Sequence, residues 1–297
     1  MDARIRELLK PEILNSVNGL ELLARIIVEG FMSGTNRSQT IGVGQEFSQY
    51  RNYETGDDLR QLDWKMYARS ERYFIKQAEI ETNITVKFMI DASRSMAYDE
   101  GGLSKLQYAK IITAALGYLA RKQGDTFGLF VVNNKNVSAI QPRFEQQQFM
   151  RFLNALVMAK AESTWTTVGL ERLFDHHGKE MIIFITDLYD RDGDLLKFIG
   201  GLKTARNEVI VFHILGEIEI NLGWEGSFTF KDLETMTKVK VDTRLLKKEY
   251  KERVQHWMNT SRMALLEKSI SYHAFFMGKD IDQTLRTFLQ VRKNLRP

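Results

Sequence analysis

Two carboxylates and three hydroxyls sit where a cation could be held. Asp91-Ala92-Ser93-Arg94-Ser95 follows the strand-like run Ile84 to Ile90, and Asp187 follows Met181 to Thr186. Between them, Ser163-Thr164-Trp165-Thr166 precedes a helical stretch. In an open α/β sheet, ligands bind beyond the carboxyl ends of the strands, at the point where strand order reverses. The Asp-x-Ser-x-Ser spacing lets alternate side chains of a tight loop turn toward one point. Asp91 would supply charge, Ser93 and Ser95 neutral oxygens, and Thr164 one more from a neighbouring loop. Asp187 would bind directly or through a water. An all-oxygen set suits a hard cation, Mg²⁺ first, with Mn²⁺ or Ca²⁺ as substitutes. With so few direct charges, such an ion stays electrophilic and keeps a position for an incoming carboxylate.

Other chemistries find less support. No Gly-x-Ser-x-Gly elbow, Walker A motif or complete dinucleotide loop occurs, and Gly42-Val43-Gly44 lacks the third glycine. A phosphatase of the Asp-x-Asp type would need an acid where Ser93 stands. The histidines are His176, His177, His213, His256 and His273, without zinc spacing. His213 and His273 fall inside apolar strands and read as hydrogen-bonded core residues, while His176-His177 ends a helix. Asp187, Asp190, Asp192 and Asp194 hint at calcium, but no Glu closes an EF-hand ring. Asp192 or Asp194 reads better as a helix cap. Trp165 is either a core aromatic or the rim of a partner site.

The elements that must position these residues alternate. Strands are expected at 84–90, 126–132, 181–186, 208–215 and 270–276, with helices at 104–121, 145–159, 167–174, 195–205, 245–267 and 281–292. Helix 104–121 carries Leu106, Ala109, Ile112, Leu116 and Leu119 on one stripe. Unbroken apolar strands alternating with helices predict a doubly wound, mainly parallel sheet flanked by helices. Val137 to Ile140 would return as an antiparallel edge. Residues 227–230 and 238–241 suggest a hairpin-like insertion within 217–242. The main domain is expected over 81–297. Residues 1–80 form an N-terminal extension packed on it, helical through residue 34, polar and irregular over 35–71, and strand-like at 72–80. Within Gly56 to Trp64, the acids Asp57, Asp58 and Asp63 lie among Arg51, Arg60 and Arg69. They read as a short N-capped helix with arginine pairs and a buried Trp64, rather than a second metal surface.

The chain has 297 residues, 43% of them hydrophobic and 27% charged, which excludes a disordered chain and allows a sizeable core. With no cysteine, disulfides, thiolate metal sites and cysteine nucleophiles are excluded. The net charge of +4 does not indicate a nucleic-acid binder. Val241 to Pro297 carries twelve Lys/Arg against six Asp/Glu, which reads as a solvated basic face rather than a docking patch. Leu20 to Met32 is too short and too charged to span a bilayer and lacks the order of a signal peptide. The expectation is a cytoplasmic protein without a membrane span.

The pattern Asp91-x-Ser93-x-Ser95, Thr164 in Thr-x-Thr-x-x-Gly-Leu, and Thr186-Asp187 resembles the metal-ion-dependent adhesion site (MIDAS) of von Willebrand factor A domains. A second resemblance lies upstream, in Gln45-Glu46-Phe47, Arg51-x-Tyr53, Gly56-Asp57-Asp58-x-Arg60, Asp63-Trp64 and Ala68-Arg69. That run is similar to the signature of a bacterial von Willebrand A-like family catalogued as domain of unknown function 58 (DUF58). The similarity extends from about residue 34 to the end and includes Asp242 to Tyr250. Gly216 to Glu219 departs from a Pro-containing turn of many members, which leaves the shape of the following insertion open. The resemblance implies a von Willebrand factor A-like, Rossmann-like fold and no enzymatic activity. It further implies a MoxR-type AAA+ ATPase as co-worker, with this chain as adaptor or recruiter in a chaperone-like system. The alternatives are a metal-dependent phosphoester hydrolase using the same site, for which no general base or nucleophile is visible, and a metal-free scaffold.

Overall fold

A computed structural model of the chain describes residues 8–35, 47–53, 62–78, 84–166, 170, 179–189, 193–233 and 235–295. The expected helix 167–174, the acids Asp57, Asp58, Asp190 and Asp192, Arg60, and His176-His177 therefore lie outside the described residues, apart from Leu170 of that helix. The chain divides into two compact units. One takes in the N-terminal residues through Phe31 and continues from Ile84 onward; the other is Met32–Asn83.

The N-terminal residues form α1 (Pro11–Leu14) and α2 (Val17–Thr35). The α2 stripe Leu20, Leu23 and Ile27 is buried. Tyr118 Oη donates to Glu29, and Arg286 donates to the Gly30 carbonyl at 2.8 Å, both within the first unit.

The smaller unit holds β1 (Phe47–Asn52), α3 (Trp64–Ser70) and β2 (Phe74–Ala78), with β1 and β2 antiparallel. Polar, aperiodic residues concealed β1, which its pairing with β2 defines. The short helix expected within Gly56 to Trp64 begins only at Trp64; Asp63 caps it, its carboxylate accepting from the Lys65 and Met66 amides. The expected burial of Trp64 is wrong. Its side chain is 63% exposed and meets Tyr67 edge-on. Tyr67 instead stacks on Tyr73 at 4.6 Å.

From Thr85 the alternating rhythm holds. β3 (Thr85–Asp91) leads through a 3₁₀ turn at Arg94–Ala97 and the small hairpin β4 (Asp99–Glu100) and β5 (Leu103–Ser104) into α4 (Lys105–Lys122). β6 (Thr126–Val132), β7 (Val137–Arg143), α5 (Gln148–Met158) and β8 (Glu180–Thr186) follow. Then come α6 (Asp194–Leu202), β9 (Asn207–Leu215), α7 (Glu217–Asn221), β10 (Ser227–Lys231) and β11 (Lys238–Asp242). The chain closes with α8 (Thr243–Glu267), β12 (Ser271–Phe276) and α9 (Ile281–Leu295). Helix α6 stops at Leu202 rather than 205. Its N-cap is Gly193, in the left-handed region at φ 72°, so Asp194 serves in the first turn and not as the cap.

The main sheet has the order β12-β9-β8-β3-β6-β7. All its pairings are parallel except β6–β7, where β7 returns as the expected antiparallel edge. The fold is therefore α/β, with a mainly parallel sheet flanked by helices. Both faces are covered, which is why the central strands read as unbroken apolar runs. On one face Met89, Phe184 and Val211 pack with Leu195 and Ile199 of α6 and Leu265 of α8. On the other, Phe152 of α5 meets Phe88 and Phe127 edge-on at 5.5 and 5.3 Å. Each such ring or branched chain taken from water contributes about 1.5–3 kcal/mol. Among the described residues no helix is long and apolar enough to cross a membrane.

Candidate functional site

Strand order reverses at β3: the chain leaves it for β6 on one side and comes back to β8 on the other. The carboxyl ends of β3 and β8 therefore open on a shared crevice, the position at which such sheets bind ligands. Asp91 is the last residue of β3, and Asp187 directly follows β8. Across the strand pair, Thr186 Oγ1 donates to Asp91 Oδ2 at 2.7 Å, while Asp91 Oδ1 accepts the Ser93 amide at 2.9 Å. The second bond curls the loop so that Ser93 and Ser95 point the same way, their hydroxyls 2.9 Å apart. Ser95 Oγ donates in turn to Asp187 Oδ1 at 3.2 Å, an oxygen that also accepts the Tyr189 amide. Asp91, Ser93, Ser95 and Asp187 thus form one connected, buried oxygen cluster.

The structure treats Thr164 differently. Its loop is laced to the Asp91–Ser95 loop through the backbone: Glu162 N donates to the Ala92 carbonyl and Arg94 N to the Ser163 carbonyl, at 2.9 and 2.8 Å. Ser163 takes a positive φ of 62° to make that turn. Thr164 itself is exposed, and among the described residues no hydrogen bond joins its hydroxyl to the cluster. Trp165 behaves as a core aromatic, edge-on to Phe184 at 5.5 Å and tilted on Phe198 at 5.7 Å.

Sequence reasoning missed Lys105. It is the first residue of α4, whose start is held by a capping box: Ser104 Oγ accepts the Gln107 amide and Gln107 Oε1 the Ser104 amide. A cation at a helix N-terminus opposes the helix dipole. Burial opposes it further, for the side chain is only 3% exposed. It is stabilised there because its ammonium bonds Asp187 Oδ2 at 3.0 Å and both carboxylate oxygens of Glu219 on α7, at 3.0 and 2.9 Å. The Tyr98 ring lies 5.2 Å away, within cation–π range. A cap-region lysine looks like any surface lysine in sequence, and only the capping box hinted that its place was fixed.

The electrostatics follow from this geometry. Burial, then the neighbouring Asp187 charge, raises Asp91 to about 7, against hydrogen bonds from Ser93 and Thr186 that pull it down. Burial lowers the Lys105 ammonium, but Asp187 and Glu219 outweigh it and the net shift is upward. His213, on β9, is buried and pushed down to about 3, chiefly by burial, so it is neutral. Its ring nitrogens face Tyr272 Oη at 2.7 Å and the Asp187 carbonyl at 2.9 Å, the hydrogen-bonded core role expected for it.

Glu100 shapes the next turn. Its carboxylate accepts the Glu217 and Ile218 amides and so holds the start of α7. A Cβ at Gly216 would lie 2.5 Å from the Tyr98 ring, so only glycine allows this approach.

The donors are two carboxylates and two hydroxyls, with no nitrogen or sulfur, and among the described residues no three His, Asp or Glu side chains converge as a metal-binding group. That donor chemistry fits a hard divalent cation rather than zinc.

Comparison with known proteins gives a family. The model described as "Protein of unknown function DUF58" matches residues 49–260, well over half of the chain. This chain belongs to the DUF58 family. "Uncharacterized protein Rv1480" of Mycobacterium tuberculosis (strain ATCC 25618 / H37Rv) is 21% identical over 232 residues, covering 76% of this DUF58 chain and 72% of its own. "Uncharacterized protein Mb1516" of Mycobacterium bovis matches to the same extent. Among solved structures, an aerotolerance-related membrane protein from Bacteroides fragilis NCTC 9343 aligns with a TM-score of 0.47 and 16% identity, over 72% of this chain and all of that one. The SpRpn10 VWA domain aligns with a TM-score of 0.40 and 10% identity, over 69% of this chain and 94% of that domain.

Proposed function

We propose that this DUF58 chain is a non-enzymatic interaction module that captures a carboxylate of a protein partner at the β3–β8 crevice. A divalent cation, Mg²⁺ or in its place Mn²⁺ or Ca²⁺, would be held by Asp91, Ser93, Ser95 and Asp187, with Thr164 available from the adjoining loop. The observation that carries this reading is the connected oxygen cluster itself. Two serine hydroxyls and two carboxylates are buried together at the strand-order reversal, linked through Ser93–Ser95 and Ser95–Asp187 and anchored by Thr186, Lys105 and backbone amides. When bound, the cation supplies an electrophilic position for a partner's carboxylate oxygen. Asp91 contributes the charge nearest the sheet, held by Thr186. Ser93 and Ser95 contribute oxygens without charge. Asp187 offers Oδ1, because Lys105 is bonded to Oδ2. His213 commits both ring nitrogens elsewhere and offers no base to either serine, which favours binding over hydrolysis.

Following the family resemblance, the partner is a MoxR-type AAA+ ATPase, with this chain as its adaptor. The test is Mg²⁺ and Mn²⁺ titration calorimetry on the wild type and on Asp91→Asn, followed by a pull-down of the ATPase with and without Mg²⁺. The expected result is cation binding and Mg²⁺-dependent capture, both lost in Asp91→Asn. Capture by Asp91→Asn equal to wild type would overturn the reading.

A further inference from the structure

Beside the cluster lies a cavity of about 490 Å³, and its lining is amphipathic. Ser95, Lys105 and Asp187 form one part of the wall, and Leu222, Trp224, Phe230 and Val239 another. The apolar part comes from Leu222 and Trp224, which precede the ribbon β10–β11, and from Phe230 and Val239 within it; among the described residues the ribbon pairs with itself and stays outside the main sheet. Its register places Phe228 opposite Val241 and Phe230 opposite Val239, so these four side chains share one face. Thr229, Lys231, Lys238 and Lys240 share the other. Phe230 and Val239 line the cavity from the apolar face and Lys231 joins them from the other, yet Val239 remains 59% exposed and Phe228 and Trp224 partly so.

The ribbon is tied down at both ends. At its base, the Thr243 amide and hydroxyl bond the Gly226 carbonyl at 2.9 and 3.0 Å. At its tip, Tyr189 Oη, from the loop after β8, donates to Asp232 at 2.9 Å. A two-stranded ribbon is marginal by itself. Here both tethers hold a half-wet apolar face beside a polar cluster, and the tip is fixed by the residue that follows Asp187 at one remove.

We propose that this cavity reads the residue adjacent to the captured carboxylate, and that the partner segment is an Asp or Glu flanked by a large apolar side chain, best an aromatic one. The proposal rests on the carboxylate-capture reading and adds its specificity. The acid docks on the cation at the Ser95–Asp187 edge, where Lys105, paired with Asp187 Oδ2, offsets part of the cluster's negative charge. The neighbouring ring then enters between Trp224, Phe230 and Val239, whose aromatic members sit 5.9 Å apart in a tilted arrangement open to a third ring.

The experiment uses the full chain and three blocked tetrapeptides, Gly-Glu-Phe-Gly, Gly-Glu-Ala-Gly and Gly-Gln-Phe-Gly. Each is titrated in Mg²⁺ and in EDTA while the Trp224 indole resonance is followed, identified with Trp224→Phe. Burial of one phenylalanine ring predicts that the Glu-Phe peptide binds at least tenfold tighter than Glu-Ala. Val239→Ser, at an exposed position that leaves the fold alone, removes most of that preference, and Phe230→Ala removes it fully. Equal Mg²⁺-dependent binding of Glu-Phe and Glu-Ala would overturn the proposal and leave carboxylate capture standing. A Glu-Phe preference that survives in EDTA would keep the proposal and overturn the cation. Binding of Gln-Phe as tight as Glu-Phe, or of no peptide at all, would overturn both.

Discussion

Lys105→Met tests the electrostatics of the site in one step. Methionine keeps the buried stem and deletes the ammonium, leaving Asp187, 1% exposed, without its counter-charge. At 3.0 Å, with an effective dielectric constant near 20, the lost attraction is about 5 kcal/mol. Losing one member of a buried pair costs about 3–5 kcal/mol in practice. Glu219 is lost as a partner too, but at 36% exposure it regains water, so it adds little. In EDTA at pH 7 the variant should therefore lose about 4 kcal/mol in urea unfolding followed by circular dichroism. That corresponds to a melting temperature lower by about 10 °C. Mg²⁺ should then restore more stability to the variant than it adds to the wild type. The cation becomes the only positive charge beside Asp187, and ligand stabilisation grows with affinity. A loss below about 1 kcal/mol in EDTA, or equal stabilisation of both proteins by Mg²⁺, would refute the claim that Lys105 neutralises this carboxylate.

Three further outcomes are expected. Asp91→Asn removes a charge that burial disfavours; its carbonyl oxygen still accepts the Ser93 amide, while its amide nitrogen must donate where a carboxylate oxygen accepted, so the Thr186 hydroxyl turns to receive it. Its metal-free melt should stay close to wild type while its Mg²⁺-dependent thermal shift disappears; a large loss in EDTA would contradict this. Lys110, whose ammonium donates to the Val157 and Ala159 carbonyls, is lowered to about 8 by burial. Between that value and its ordinary 10.5 the unfolded chain binds more protons, so stability rises with pH across this window. Wild type should gain about 2 kcal/mol on Lys110→Met between pH 8 and 10, and parallel curves in urea melts would exclude the effect. At Gly128 a Cβ would come within 2.6 Å of the Ile140 carbonyl and 2.7 Å of Pro142 N, backbone atoms of β7 that cannot yield without breaking the β6–β7 pairing. Gly128→Ala should cost about 1–3 kcal/mol in denaturant melts, and a neutral result would show that the edge strand gives way.

Local chemistry carried much of this protein. The unbroken apolar runs of β3, β8 and β9 announced strands buried on both faces, and the stripe through Leu106, Ile112 and Leu116 announced α4. Asp91, Ser93, Ser95 and Asp187 were legible because their types and their places after strands are both properties of the sequence. β1 was not legible, because a two-stranded pair with polar side chains has no period until its partner is known. Nor was the exposure of Trp64, since an aromatic is expected inside unless its neighbours are seen. Lys105 is the sharpest case. Nothing within several residues of it marks it as more than the polar start of a helix. Its partners Asp187 and Glu219 lie 82 and 114 positions away and meet it only where β8 and α7 close over α4. The same holds for the ribbon: its strands could be read from alternation, but which face it turns toward the Asp187 crevice depends on tethers at Gly226 and Tyr189. Residue type and period are local and survive in sequence, whereas the charge and the apolar wall beside the oxygen cluster come from distant segments, and only their packing brings them together.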